Sequence, residues 1–141
     1  MSKPSQSFAL AVLALLFLTA TACLPTTTGV LRYPASFSLA VGERVGLEPN
    51  IFIQVNAIND SRCPIDVDCF WEGDAEVFLE LEGAEGEKLQ SSLHSNSRFE
   101  QRLSFQGISL QLREVNPYPG SPEALAGAPS RAYFVATRPT P

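Results

Sequence analysis

The sequence predicts an all-β domain, a small antiparallel β-sandwich or barrel of about seven or eight strands, behind an N-terminal signal helix that is removed. Three observations carry this. Beyond residue 35 the apolar residues recur with period two rather than 3.6, glycine and proline separate the runs, and no stretch after the N-terminal segment carries a sustained helical stripe. Strand order is not written in such a pattern, so sandwich and barrel stay equal at this point.

In chain order, "FSLAVGERVGL" places Phe37, Leu39 and Val41 on alternate positions, offers a turn at Gly42-Glu43, and resumes at Val45 and Leu47, the pattern of a hairpin. "IFIQVNAI" repeats the alternation, with Ile51, Ile53, Val55 and Ala57 on one face. "AEVFLELEG" sends Ala75, Val77, Leu79 and Leu81 inward and Glu76, Glu80 and Glu82 outward, with Phe78 in the outward row. "GAEGE" is a turn, and "KLQSSLH" continues through Leu89, Ser91 and Leu93. Two runs flank Gln106-Gly107, with Ile108, Leu110 and Leu112 alternating in the second, and "RAYFVATR" forms a last strand. The exception to β is "SPEALAG", where Ser121 caps a short helical turn, Pro122 suits its first position and Gly127 stops it.

The first residues specify an address rather than a fold. Lys3 precedes an unbroken apolar run from Phe8 to Leu18, followed by small residues up to Cys23, the three-part layout of a secretory signal. Eleven apolar residues at about 1.5 Å each span roughly half of a ~30 Å hydrocarbon core, too little for a transmembrane helix. The stretch Ala20-Thr21-Ala22-Cys23 resembles the lipobox of bacterial lipoproteins, with alanine at position 20 where that family prefers leucine. The resemblance implies cleavage before Cys23, lipid attachment to it and usually acylation of its amino group. The expected organisation is a signal peptide over 1–22, a lipidated tether over 23–35 and one β domain over 36–141. The expected location is the cell membrane or the outer membrane, lipid-anchored and extracytoplasmic, with several acyl chains holding far more firmly than one.

With Cys23 assigned to lipid, Cys63 and Cys69 remain as a pair in an oxidising compartment and predict a disulfide. Closing that seven-residue loop removes ~2.4 kcal/mol of denatured-state entropy in the chain-entropy model. A zinc site lacks ligands, since His94 is the sole histidine, and the spacing is not the C-x-x-C of redox motifs.

Loss of residues 1–22 removes one charge, Lys3, and leaves nine basic against 15 acidic side chains. An acidic chain without a basic patch excludes nucleic acid as the expected partner. The membrane, through the lipid on Cys23, and an unidentified protein or glycan are the expected partners, and no cofactor is expected. Neither G-x-S-x-G nor H-E-x-x-H occurs, so the expectation is a protein that is not an enzyme.

The densest chemistry lies in "DSRCPIDVDCFWEGDAEV" from Asp60 to Val77, between two predicted strands. Arg62 stands beside Asp60 and ahead of Asp66 and Asp68, placed to pin the loop by bidentate hydrogen bonds. Trp71 follows Cys69 by two, which on a strand puts both on one face, with the indole packed on the disulfide as core filler. Asp66, Asp68 and Asp74 are weak calcium candidates, their spacing unlike an EF-hand. The stretch resembles a pattern, D-S-R-C-P-x-x-V-x-C-x-W-x-G-x-A-x-V, of small exported bacterial proteins of uncharacterised function, and "LREVNPYP" from Leu112 to Pro119 resembles that group's second recurring segment. The resemblance implies a fold neighbourhood and a compartment, and no activity. Three functions stand as expectations: a non-catalytic binding or envelope-associated domain, an exported inhibitor of a lysozyme or protease, and a calcium-stabilised binding module. The acidic balance favours a cationic partner, such as a lysozyme, for the binding and inhibitor readings.

Overall fold

The computed structural model describes residues 29–139. The signal segment and Cys23 lie outside the described residues. Among the described residues nine strands form: β1 (Val30–Leu31), β2 (Ala35–Ala40), β3 (Arg44–Leu47), β4 (Ile51–Asp60), β5 (Ala75–Glu82), β6 (Lys88–His94), β7 (Arg102–Phe105), β8 (Ile108–Asn116) and β9 (Arg131–Thr137), with one short helix, α1 (Pro122–Leu125), between the last two. They make two sheets, one of five strands in the order β1-β3-β4-β5-β6 and one of four in the order β2-β9-β8-β7. The sheets do not close on each other, so the fold is a sandwich and not a barrel. Among the described residues no helix is long and apolar enough to cross a membrane.

The core follows from the alternation. Along β5 the buried and half-buried positions alternate strictly, with Ala75, Val77, Leu79 and Leu81 inside. Its neighbours are in register, Val77 opposite Ile58 on β4 and opposite Leu93 on β6. Ile108, Leu110 and Leu112 of β8 and Ala132, Phe134 and Ala136 of β9 supply the facing layer. Phe37 meets the fully buried Phe134 with ring centroids 5.6 Å apart. The turn between β7 and β8 is tight because Gln106 and Gly107 both adopt positive φ, the backbone of a two-residue hairpin loop. α1 begins as its sequence requires: the Ser121 hydroxyl accepts from the Ala124 N–H at 3.3 Å, and Pro122 occupies the first turn.

Three expectations change. The turn at Gly42-Glu43 forms, with Glu43 N–H donating to the Ala40 carbonyl at 3.1 Å, but it joins no hairpin. β2 pairs with β9 and β3 with β4, so the chain crosses from one sheet to the other. A corner between sheets has the same alternation and turn chemistry as a hairpin, because both flanking strands face one core. On β4 the inward row is Ile51, Ile53, Val55 and then Ile58 rather than Ala57, because a bulge between Val55 and Ala57 inserts one residue and reverses the phase. Val30 and Leu31, in the expected tether, pair in parallel with Gly46 and Leu47 of β3, and Ala35 is buried, so packing starts before residue 36.

The topology places one end of the sandwich at Asp60 and Ala75 of one sheet and at Asn116 and Arg131 of the other. The cysteine loop, residues 61–74, and the α1 segment, residues 117–130, both project from that end.

Candidate functional site at the cysteine loop

The loop is closed at its base before any disulfide is considered. Ser61 N–H donates to the Asp74 carbonyl at 2.7 Å and Cys63 N–H to the Glu72 carbonyl at 3.0 Å, extending the β4–β5 ladder into the loop. Gly73 has φ +77°, and a Cβ there would lie 2.1 Å from the Ser61 carbonyl oxygen, so the crossing of the two arms requires glycine. Beyond the base, Cys63 and Cys69 are joined, with S–S 2.08 Å and Cα atoms 5.9 Å apart. The far side is fixed to the 117–130 segment by the Ile65 N–H, which donates to the Pro119 carbonyl at 3.1 Å.

Arg62 is the ionic counterpart of that covalent closure. Its Nε and one terminal nitrogen donate to the two carboxylate oxygens of Asp60 at 2.8 and 2.6 Å, a bidentate pair. The remaining donors reach the carbonyls of Val115 at 2.8 Å and Pro117 at 3.2 Å. The guanidinium also lies over the Tyr118 ring, 4.4 Å from its centroid. Only 9% of the Arg62 side chain is exposed, so these contacts act away from bulk water and resist salt screening. Asp60 and Arg62 thus form the expected clamp, while Asp66 and Asp68 are exposed and lie outside it. The segments around Arg62 and around Tyr118 meet directly.

A second polar group supports the loop from β6. The Asp74 carboxylate accepts from the Ser95 hydroxyl at 3.1 Å and the Asn96 N–H at 2.9 Å, and lies 2.6 Å from His94 Nδ1. Burial alone would raise the Asp74 pKa; the hydrogen bonds from His94, Asn96 and Ser95 outweigh it and hold the carboxyl below the usual aspartate value. Asn96 in turn donates to Glu72 at 3.0 Å and to the Gly73 carbonyl at 2.9 Å, reaching back to the loop base. The order Ser92, His94, Asp74 has the outline of a nucleophile, base and orienting acid, since Ser92 Oγ is 3.4 Å from His94 Nε2. The Glu76 carboxylate, however, lies 3.8 Å from the same Nε2. A negative charge there opposes an oxyanion developing on a substrate, so the arrangement is suited to holding Asp74 and the loop rather than to acyl transfer.

The outer surface of the loop carries apolar side chains beside the exposed carboxylates of Asp66 and Asp68. Phe70 is fully exposed, and Ile65, Val67 and Trp71 are 57%, 54% and 40% exposed. Trp71 is not on a strand and does not fill the core: residues 61–74 form a loop, and the indole lies under the Arg98 guanidinium, 5.0 Å from ring centroid to Cζ. The expectation failed because two-residue spacing places side chains on one face only in extended, paired backbone. The three calcium candidates are differently placed. Asp74 is nearly buried and committed to His94, Ser95 and Asn96, whereas Asp66 and Asp68 are exposed, and among the described residues no group of three or more His, Cys, Asp or Glu side chains is placed to hold a metal ion.

Two clefts flank the loop, with Tyr118 lining both. The first, of about 370 Å³, is polar and includes Arg62, Glu72, Asn96, Arg113 and Glu114. Arg113 is the extra residue of a bulge between Leu112 and Glu114, which turns it out of the regular ladder. The second, of about 470 Å³, lies beside α1 and is lined by Pro117, Ala128, Pro129 and Tyr133 among others. His94, Asn96 and the 117–130 segment were not singled out as site residues by the sequence; the "LREVNPYP" segment reached the start of 117–130, and no sequence signal pointed to His94 or Asn96. No protein-family model, no curated protein and no solved structure matches the chain.

Proposed function

We propose that this chain is a lipid-anchored extracytoplasmic binding module without catalytic activity, which presents the cysteine loop to a protein partner in the bacterial cell envelope. One observation carries the reading: Phe70 is fully exposed beside the half-exposed Trp71, on a loop locked by the Cys63–Cys69 bond and the Arg62 clamp. A single exposed apolar residue on a protein surface is ordinary, but several together on one rigid loop mark a contact surface. Rigidity matters because a preorganised loop loses little conformational freedom on binding, so more of the apolar burial is retained as affinity. The carboxylates of Asp66 and Asp68 stand exposed on the same loop and favour a cationic partner through steering. Inhibition of a lysozyme or protease is the second reading, favoured by the same geometry, since a clamped loop with an apolar tip is shaped to enter an enzyme's cleft.

Two measurements test the proposal. Metabolic labelling with a palmitate analogue should mark the wild type and not Cys23→Ala; equal labelling removes the anchor. Affinity capture from envelope extract should retain one partner on the wild type and lose it with a folded Phe70→Ser variant. Equal capture by both removes the loop from the contact surface.

A further inference from the structure

We infer that the second cleft, between the α1 segment and the outer face of the four-stranded sheet, takes a cationic side chain on an apolar stem, an arginine or lysine of a bound protein. The inference rests on the binding-module reading and names the group that the module recognises. Its walls are Pro117, Tyr118, Ala128, Pro129 and Tyr133, with Glu123 among them. Tyr133 faces outward from β9, because its neighbours Ala132 and Phe134 occupy the buried row. Tyr118 is fixed from behind: Arg62, which lines the first cleft and not the second, lies 4.4 Å from its ring centroid. The cleft is therefore preformed, bounded by a positioned aromatic ring.

Charge decides what it selects. Arg131, the one basic residue in the cleft wall among the described residues, is already neutralised, donating to the two Glu43 carboxylate oxygens at 3.1 and 2.7 Å and to Ser38. Glu123 has no ion-pair partner among the described residues. The unbalanced charge is negative, beside two electron-rich rings, which is the chemistry that recognises a cation. Proline and alanine walls suit the alkyl stem of the same side chain. The cleft also continues the loop surface, since Ile65 is hydrogen-bonded to Pro119 and Gly120 packs against it. A partner seated on Ile65 and Phe70 is therefore within reach of the cleft.

The test uses the full lipidated chain in detergent micelles, with ¹³C-labelled alanine methyl groups, titrated with N-acetyl-arginine methylamide and with its neutral citrulline counterpart. The Ala128 methyl signal should move saturably with arginine, with affinity about fivefold above citrulline, the size expected of a cation over exposed aromatic rings. Glu123→Gln should reduce arginine to the citrulline level while the other alanine signals stay in place. Equal affinity for both probes, no saturable movement at Ala128, or indifference to Glu123→Gln overturns the inference. Probe binding by a protein that captures no envelope partner would keep the cleft and overturn the binding-module reading; capture without probe binding would overturn the cleft alone.

Discussion

The Arg62 guanidinium lies 4.4 Å from the centre of the Tyr118 ring and donates to the Pro117 carbonyl, so one side chain joins the loop of one sheet to the end of a strand in the other. Two segments more than 50 residues apart act as one structural unit. Replacing Arg62 strands the Asp60 carboxylate and two carbonyls at a place with little water.

Arg62→Ala should therefore cost about 2–3 kcal/mol, as expected when one partner of a largely buried charged hydrogen-bond network is removed. Arg62→Lys should recover only part, since an ammonium cannot make the bidentate pair and lie flat on Tyr118 together. Urea unfolding midpoints of the three proteins decide this, and equal midpoints would mean the clamp contributes nothing.

Glycine substitutions separate strain from collision. Gly73→Ala meets the Ser61 carbonyl oxygen at 2.1 Å as well as an unfavourable φ, and should cost well over ~2 kcal/mol or prevent folding. Gly42→Ala carries a similar φ of +85° with open space around its Cβ, and should cost only ~1 kcal/mol. Thermal melts of both variants test the difference.

Asp74 predicts a pH dependence with a definite sign. Its folded pKa is lowered, so the folded state holds that proton less tightly than the unfolded chain, whose aspartate titrates near ~3.9. The contribution is fully present above about pH 4, the unfolded value, and is lost as the pH falls through the lower folded value. The wild type should exceed Asp74→Asn in urea midpoint at pH 7, and the gap should shrink at pH 3. A gap that stays constant would show that the carboxylate's charge is not what matters.

Trp71 and Phe134 should differ sharply. Trp71 is 40% exposed and held by a cation–π contact, so Trp71→Ala should cost about 1 kcal/mol or less. Phe134 is 1% exposed in the core, and Phe134→Ala should cost about 3–5 kcal/mol. Similar losses in chemical denaturation would return the indole to a structural role.

The antiparallel β class was legible because its inward rows are continuous: Ala75, Val77, Leu79 and Leu81 could be read directly, and so could the capped turn at Ser121, whereas the choice of sandwich over barrel depended on strand order. Asp60 with Arg62 and the Cys63–Cys69 pair were legible for the same local reason, being near neighbours in the chain. What failed needed information that local pattern lacks. The bulge after Val55 reversed a phase that alternation assumes constant, and the corner at Gly42 has the chemistry of a hairpin turn. His94 found its partner through strand pairing: Asp74 precedes β5, whose Glu76 is opposite His94, a register invisible in one dimension. Trp71 was misplaced because a strand was assumed to extend through a loop.

A photo-crosslinking residue placed at position 70 in the native chain, in living cells, bears on the central claim most directly, with position 85, exposed in the turn between β5 and β6, as the control. The cysteine loop as a contact surface predicts one discrete adduct with an envelope protein from position 70, lost when Cys63 and Cys69 are both serine, and none from position 85. The same adducts from both positions, or none from position 70 in a folded and anchored protein, would contradict it.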